Sequence, residues 1–221
     1  MLELSNITKI YKTQGETITA LDHVDLSIAT GEFVAIMGRS GSGKSTMLNI
    51  LGCMDKPTSG TYLLADQDVS SLDDDALSQI RNDHIGFVFQ GFHLLPRLSA
   101  LENVMVPLRF ASAEKQQGGE QRAKELLQKV GLGDRIHHMS NEMSGGQIQR
   151  VAIARSLINQ PAVLLADEPT GNLDSAISQQ IIDLLTELNR AGQTIVMVTH
   201  EPDIAENAGR TINFLDGKII S

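Results

Sequence analysis

The sequence contains one cysteine, Cys53, and no apolar run that approaches the length of a membrane span. A single cysteine excludes an internal disulfide and is typical of a reducing cytosol, and its simplest interpretation is a small buried apolar residue. The first residues, LELSNITKIY after Met1, alternate in polarity and do not resemble a signal peptide. We therefore expect a cytosolic chain that reaches a membrane only through a partner.

Positive charge is also scarce: 18 Lys and Arg residues stand against 27 Asp and Glu residues, for a formal net charge of -9. Binding of nucleic acid over a whole surface needs a basic face that releases counterions, so we expect no nucleic-acid partner. Any polyanion must be held at a local site. The 221 residues, 41% of them hydrophobic, are enough for the core of one large domain or two small lobes.

Short apolar runs and helical patterns alternate along the chain. Buried strands of a mostly parallel sheet are predicted at Phe33–Gly38, His84–Gln90, Ala162–Asp167 and Thr194–His200. Helices are predicted at Lys44–Leu51, Asp74–Arg81, Glu120–Val130, Gln147–Ile158 and Ser178–Arg190. Alternation before Gly31 and around Gly60–Val69 predicts antiparallel strands that flank this sheet.

Residues 91–158 are rich in helical pattern and have no strand signal of their own. We expect a single domain, 1–221, in which residues 1–90 and 159–221 form an α/β lobe and residues 91–158 an inserted helical lobe. The fold class is therefore α/β, with a mostly parallel sheet and flanking antiparallel strands. The acidic run Asp73–Asp75 begins a predicted helix, so we interpret it as a complement to the helix dipole and not as a metal site.

The stretch GRSGSGKST, Gly38 to Thr46, lies between a predicted strand and a predicted helix. Its glycines add no apolar surface and must serve backbone geometry. In this context the pattern G-x-x-x-x-G-K-[ST] predicts a loop whose backbone N–H groups surround phosphates, with a lysine for the terminal phosphates and a hydroxyl for Mg²⁺. The predicted binding residues are Gly38, Arg39, Ser40, Gly41, Ser42, Gly43, Lys44, Ser45 and Thr46.

Two adjacent acids, Asp167 and Glu168, follow an apolar strand, which places them at the carboxyl edge of the sheet where open α/β folds bind ligands. Asp167 suits Mg²⁺ coordination, directly or through water, and Glu168 is placed to polarise an attacking water. Either acid alone would more simply be solvated. Together with the phosphate loop, the pair predicts a functional site of the kind that GTPases, kinases and motor ATPases share.

A second anion site is predicted in MSGGQIQRVAIARSL, where Ser144, Gly145 and Gly146 precede a helix. Because the first loop already holds the phosphates, a second such site makes sense if it contacts the nucleotide of another copy. A helix that simply begins with glycine is the alternative for this stretch taken alone.

In the order of its motifs and over essentially its whole length, the chain resembles the nucleotide-binding subunit of ABC transporters. MSGGQ is similar to the family signature LSGGQ, although Met143 replaces leucine and Ile148 stands where a polar residue is common. Gln90 falls at the Q-loop, Asn172–Asp174 at the D-loop and His200 at the switch histidine. GCMDKPTSG and ADEPTGNLD resemble most the subgroup for macrolide export and lipoprotein release.

The resemblance implies a P-loop ATPase that forms a head-to-tail homodimer, with two Mg-ATP molecules between the phosphate loop of one copy and the signature motif of the other. It implies catalytic roles for Glu168, His200 and Gln90, and Mg²⁺ ligands in Ser45, Gln90 and Asp167. It also implies nucleotide contacts from Tyr11, which would stack on adenine, and from Ser144, Gly145, Gly146, Gln147 and Asp174.

The partner implied by the resemblance is an integral membrane permease, which places the chain peripherally on the cytoplasmic face of the inner membrane. The segment of this chain that contacts the permease would follow Gln90 and include Phe92, Leu94, Leu95 and Leu98. Two alternatives stay open: a regulatory ATPase of a cell-division-type signalling complex, and a soluble DNA-repair or ribosome-associated ABC protein. A small GTPase is disfavoured because no N-K-x-D motif is present.

Overall fold

A computed structural model describes residues 1–12 and 15–220. Residues 13–14 and 221, which the predicted domain 1–221 includes, lie outside the described residues. The strands are β1 Leu2–Lys12, β2 Thr17–Ile28, β3 Phe33–Gly38, β4 Ser59–Leu64, β5 Gln67–Asp68, β6 Ile85–Val88, β7 Val163–Asp167, β8 Thr194–Val198, β9 Arg210–Leu215 and β10 Lys218–Ile219. The helices are α1 Lys44–Leu51, α2 Asp74–His84, α3 Ala100–Met105, α4 Ala113–Gln116, α5 Gly119–Lys129, α6 Gly145–Leu157, α7 Ser175–Arg190 and α8 Pro202–Ala205, with 3₁₀ helices at Val106–Phe110 and Ser140–Glu142.

The larger sheet has six strands in the order β10-β9-β3-β8-β7-β6. Strands β9, β3, β8, β7 and β6 pair in parallel, and β10 pairs antiparallel with β9. Every residue of β8 is buried, as expected of a parallel strand covered on both faces. The predicted mostly parallel sheet is confirmed.

The smaller sheet has four strands in the order β2-β1-β4-β5, and all its pairs are antiparallel. In β1, Leu2 pairs with both Ile28 and Leu64, and all three side chains are buried. The predicted flanking antiparallel strands are therefore confirmed. Strands β9 and β10 were not predicted.

The larger sheet divides the apolar interior into two cores. Phe33 and Ala35 of β3 face the core built with α3, α5, α6 and α7, whereas Val34 and Ile36 face the core built with α1 and the smaller sheet. This division follows from the alternation of side chains along a strand. Cys53, just after α1, is 2% exposed in the second core, and burial raises the pKa of its thiol to about 11.

Residues 91–158 carry helices α3 to α6, and within the described residues they contain no strand beyond one isolated bridge between Ser99 and Met139. The buried side chain of Asn103 orders the segment before α3, because its Oδ1 accepts from Leu95 N at 2.8 Å and its Nδ2 donates to Leu98 O at 3.0 Å. Division into lobes at residues 90 and 158 remains a prediction, because α6 also packs against β6 and α7.

Several predicted boundaries differ from the structure by one to three residues; α6 begins at Gly145 and not at Gln147, and β8 ends at Val198 and not at His200. The strand predicted from His84 is shorter, and His84 instead ends α2, where a basic side chain complements the helix dipole. Helix α7 begins at Ser175 and not at Ser178, because the Asp174 carboxylate accepts from Ile177 N and caps the helix there. The acidic run behaves as predicted: Asp73 caps α2 by accepting from Ala76 N at 2.9 Å.

Within the described part of the chain, no helix has both the length and the apolar composition that a membrane crossing requires.

Candidate active site

The phosphate loop connects β3 to α1 and depends on glycine at its two ends. Gly38 has φ 153° and Gly43 has φ 107°. A Cβ on Gly38 would lie 2.5 Å from the carbonyl oxygen of Phe214, and one on Gly43 would lie 2.6 Å from that of Ala20. The loop is thus confined between β2 and the end of β9, so these positions exclude a side chain as well as requiring unusual backbone angles.

The lysine of the loop is held by two backbone carbonyl groups. Lys44 is 8% exposed, and its Nζ donates to the carbonyl oxygens of Gly38 at 2.7 Å and Arg39 at 2.9 Å. The Oγ of Ser42 is buried and has no partner among the described residues. A buried ammonium held by carbonyls and an unpaired hydroxyl fit an anionic ligand, which would complete both.

A cavity of about 660 Å³ opens above the loop. The predicted residues on its wall are Gly38, Arg39, Ser40, Gly41, Gly43, Lys44, Ser45, Thr46, Asp167, Glu168 and His200. The predicted residues that do not line it are Tyr11, Ser42, Gln90, Ser144, Gly145, Gly146, Gln147 and Asp174. The structure therefore gathers the phosphate loop, both acids and the histidine at one site.

Sequence reasoning missed part of the wall: Ile18, Thr19 and Ala20 of β2, Val198, and the turn Asp216–Gly217. The turn supports the loop, because Gly217 N donates to Ser42 O at 2.9 Å. An Asp-Gly pair between apolar runs is a strong hairpin signal. It predicts the turn, but nothing in it shows that the turn packs against the phosphate loop.

The two acids lie where β7 ends. Burial raises the pKa of Asp167, the neighbouring Glu168 charge raises it further, and the Lys44 ammonium lowers it. Glu168 adopts φ 44°, a left-handed conformation that is uncommon for a side chain of this kind. Its Oε1 lies 3.0 Å from Nδ1 of His200, so the structure pairs the predicted acid and histidine directly.

Gln90 lies two residues beyond the end of β6, beside the loop that follows Glu168. Its carbonyl oxygen accepts from Asn172 Nδ2 at 2.9 Å, and a Cβ on Gly171 would lie 2.6 Å from its Nε2. Gln90 thus contacts the segment carrying the catalytic candidate, although it does not line the cavity.

The second predicted anion site is the start of α6. Ser144 and Gln147 form a reciprocal capping box, in which Ser144 N donates to Gln147 Oε1 at 3.0 Å and Gln147 N donates to Ser144 Oγ at 3.4 Å. A Cβ on Gly146 would lie 2.5 Å from Cγ2 of Ile177. Close packing against α7 therefore explains this glycine.

Tyr11 is fixed by its neighbours near the end of β1. Its hydroxyl donates to Asp55 Oδ2 at 2.8 Å, and the Lys9 ammonium lies 4.9 Å from the ring centroid. Burial raises the pKa of Tyr11, the Asp55 hydrogen bond raises it too, and a hydrogen bond with Thr46 lowers it. The Thr46 contact places the ring next to the first turn of α1.

A second cavity, of about 470 Å³, is a groove between α2, β6, the 3₁₀ helix at Val106–Phe110 and the end of α6. We call it the aromatic groove. Phe87 and Phe89 stack on its wall with ring centroids 4.3 Å apart, and Phe110 at its rim is 71% exposed.

Arg155 joins the aromatic groove to the segment after Gln90. It lines the groove and donates to the carbonyl oxygens of Phe92 at 2.9 Å and His93 at 2.6 Å. Burial lowers the pKa of its guanidinium. Of the four predicted docking residues, Leu95 is exposed, Phe92, Leu94 and Leu98 are partly buried, and none lines the groove.

A family model described as ABC transporter matches residues 21–171, more than half of the chain. The chain belongs to the ABC transporter family. We call this chain the cassette. It is 54% identical over 220 residues to the ABC transporter ATP-binding protein YvrO of Bacillus subtilis (strain 168), covering 100% of this chain and 96% of YvrO. It is 53% identical over 220 residues to YknY of the same strain, covering 100% of this chain and 95% of YknY.

The cassette is also 50% identical over 220 residues to the macrolide export ATP-binding/permease protein MacB of Salmonella typhimurium (strain LT2). The match covers 100% of this chain but 34% of MacB. Among solved structures, it is similar to the ATP-binding cassette MJ0796 in a dimeric post-hydrolysis state bound to ADP and Pi, with 49% identity, a TM-score of 0.88, and coverage of 100% of this chain and 97% of that one. The predicted ABC ATPase fold is confirmed, and the cassette is an ATPase.

Proposed function

We propose that the cassette hydrolyses Mg-ATP between two head-to-tail copies and thereby drives an integral membrane permease on the cytoplasmic face of the inner membrane. The observation that carries the proposal is the wall of the 660 Å³ cavity, where Lys44, Ser45, Asp167, Glu168 and His200 converge. A phosphate-binding loop, oxygen ligands and a candidate base are the parts that phosphoryl transfer to water requires.

Binding is assigned to the phosphate loop and to Tyr11. Lys44 exchanges its carbonyl partners for the terminal phosphates, and the buried hydroxyl of Ser42 gains a partner. The Ser45 hydroxyl and the Asp167 carboxylate are the hard oxygen donors that Mg²⁺ prefers, and Gln90 supplies a further oxygen. An Mg²⁺ ion held by these oxygens would neutralise phosphate charge, while the protein would orient the nucleotide.

Hydrolysis is assigned to Glu168. Its carboxylate accepts a hydrogen bond from a water molecule and polarises it for attack on the terminal phosphorus, while the bond to the bridging oxygen breaks and ADP leaves. The 3.0 Å contact with His200 Nδ1 holds the carboxylate in place. In this role His200 orients Glu168, and its ring is also placed to contact the terminal phosphate.

The proposed dimer is based on Ser144 to Gln147 and Asp174, predicted nucleotide contacts that do not line this cavity. Ser144 to Gln147 form the start of α6, where Ser144 is exposed and the helix dipole favours an anion. A second copy related head to tail would bring this motif, with Asp174 beside it, to the nucleotide of the first. Dimeric MJ0796 cassettes at 49% and 50% identity support this arrangement.

The permease contact is assigned to the aromatic groove. Its stacked phenylalanines and the exposed Phe110 offer apolar area to an amphipathic helix of the permease, the mode in which a helix lies in a groove. Because Arg155 connects the groove to the backbone after Gln90, a helix seated there is linked to the nucleotide side. The segment 91–104 then contributes mainly through Leu95.

The relatives point to the kind of permease. MacB proteins are macrolide export ATP-binding/permease proteins, and their similarity to this chain supports an export role of the macrolide-export kind. A lipoprotein-release role rests on the motif resemblance alone.

Glu168→Gln tests the assignment. The variant should bind ATP, lose about 10²- to 10⁴-fold of the hydrolysis rate, and elute with ATP at twice the monomer mass in size-exclusion chromatography. Glu187→Gln, at an exposed acid of α7, is the matched control and should behave like the unmodified protein. Normal hydrolysis by the Glu168 variant, or an ATP-bound variant that remains monomeric, contradicts the proposal.

A further inference from the structure

Gln149 is a glutamine in the interior that the proposed chemistry does not use. It lies on α6, two residues after Gln147, and is 0% exposed. Its Nε2 donates to the carbonyl oxygen of Pro169 at 2.6 Å. A carbonyl oxygen can only accept, so this contact fixes which end of the amide faces Pro169.

The other end of the amide has no partner. Gln149 Oε1 is buried without a hydrogen bond among the described residues. A buried unpaired oxygen destabilises a fold, and leucine or methionine would fill the same space without that cost. Packing therefore does not explain the glutamine, and the bond to Pro169 does.

Pro169 directly follows Glu168. The turn around it is closed by a hydrogen bond from Gly171 N to Glu168 O at 3.1 Å, and Glu168 itself adopts φ 44°. A side chain in a sparsely populated conformation keeps it only when the surrounding structure holds it there. The Gln149 amide holds the backbone one peptide bond away from this residue.

Helix α6 begins with the Ser144–Gln147 motif, about one turn before Gln149. The first turn of the helix packs without a gap on the segment after the Pro169 turn, since a Cβ on Gly145 would lie 3.2 Å from Cδ2 of Leu173. A displacement of the start of α6 is therefore transmitted to the loop that carries Glu168 by packing as well as through the Gln149 hydrogen bond.

We propose that Gln149 is a positioning residue that couples the signature motif of one copy to Glu168 of the same copy. The inference rests on the proposed function, in which that motif binds the nucleotide held by the partner. Engagement of one nucleotide by the helix start then sets the position of the carboxylate that acts on the other nucleotide. The buried amide of Gln149 in each copy, together with the packing of the first turn of α6, then connects the two sites of the dimer.

Gln149→Leu and Gln149→Met remove the donor and the unpaired oxygen while keeping side-chain volume. We expect kcat to fall about tenfold, because small misplacement of a catalytic group is costly, with KM for ATP within about twofold of the unmodified value. The Hill coefficient for ATP should fall towards one. The thermal unfolding midpoint should change little, because the variants remove one unpaired buried oxygen, Gln149 Oε1, but take away the donor of another, the Pro169 carbonyl oxygen.

Thr186→Val is the matched control, because Thr186 Oγ1 on α7 is also buried without a partner, and its kinetics should be unchanged. If both Gln149 variants keep kcat within twofold, or lose it only in proportion to a lowered unfolding midpoint, the proposal is overturned. Glu168→Gln measured in parallel separates the two claims. An active Glu168 variant refutes the proposed function, whereas an inactive one beside normal Gln149 variants refutes only the coupling.

Discussion

The two cavities of the cassette are lined by different kinds of residue. The nucleotide cavity is walled largely by backbone, hydroxyls and charged side chains, with Lys44 buried and Gly38 and Gly43 confined by neighbouring strands. The aromatic groove combines Phe87, Phe89 and the exposed Phe110 with polar side chains that include Arg81 and Arg155. A phosphate site needs fixed dipoles before its ligand arrives, whereas an apolar surface gains its free energy only when a partner covers it.

The two cavities are nevertheless connected through α1. The helix begins at Lys44 in the nucleotide cavity, and Cys53 lies just beyond its end. The carbonyl oxygen of Cys53 accepts from Arg81 Nη1 at 2.7 Å, and Arg81 lines the aromatic groove. A variant in one cavity, assayed for both nucleotide binding and permease stimulation, therefore measures how independent the two cavities are.

The largest expected effect is on ATP affinity and comes from a change in the nucleotide cavity. Lys44→Ala removes the cation that meets the terminal phosphates, and charge-assisted hydrogen bonds of this kind make us expect about 100-fold weaker ATP binding. Equilibrium titration with ATP measures this, and co-purification with the permease in the absence of ATP should persist. Affinity within threefold of the unmodified protein would show that Lys44 does not bind phosphate.

Phe110→Asp should have the opposite pattern. An aromatic anchor in an interface typically carries enough binding free energy that its loss lowers permease-stimulated turnover about tenfold. ATPase activity of the isolated cassette should not change. Ile220→Asp is the control, because Ile220 is 60% exposed and lies outside the groove. Equal loss in both variants, or in neither, would place the docking surface elsewhere.

A smaller effect is expected for the choice of base. Stacking on Tyr11 is tolerant of base identity, so GTP should be bound and hydrolysed within about tenfold of ATP. Competition binding and parallel turnover assays with the two nucleotides measure the ratio. A much larger preference for ATP would reveal a contact that recognises the edge of the base.

The smallest effect is expected from Tyr11→Phe, which keeps the ring and loses only the hydroxyl bond to Asp55. Loss of one partly exposed hydrogen bond should raise KM for ATP about threefold, against about tenfold or more for Tyr11→Ala, which removes the stacking surface. If the two variants behave alike, the hydroxyl anchor and not the ring face is what Tyr11 contributes.

Prediction from sequence identified residues of the cavity wall where they are contiguous in the chain. The phosphate loop and the Asp167–Glu168 pair each lie within one short segment, so their motifs and flanking strands reveal them together. The support of Ser42 by Gly217 and the bond from Gln149 to Pro169 join segments that only the fold brings together. The groove was missed for the same reason, since Phe87 and Phe110 come from separate elements.

The alkylation rate of the buried Cys53 measures how often the core beneath α1 opens. With its thiol 2% exposed and its pKa raised to about 11, alkylation requires a transient opening of the core beneath α1. The labelling rate is then the intrinsic thiol rate multiplied by the opening equilibrium. Because α1 starts in the nucleotide cavity, bound nucleotide that stabilises the closed helix slows labelling in proportion to its occupancy. Alkylation of this native cysteine thus reports nucleotide binding without an engineered residue.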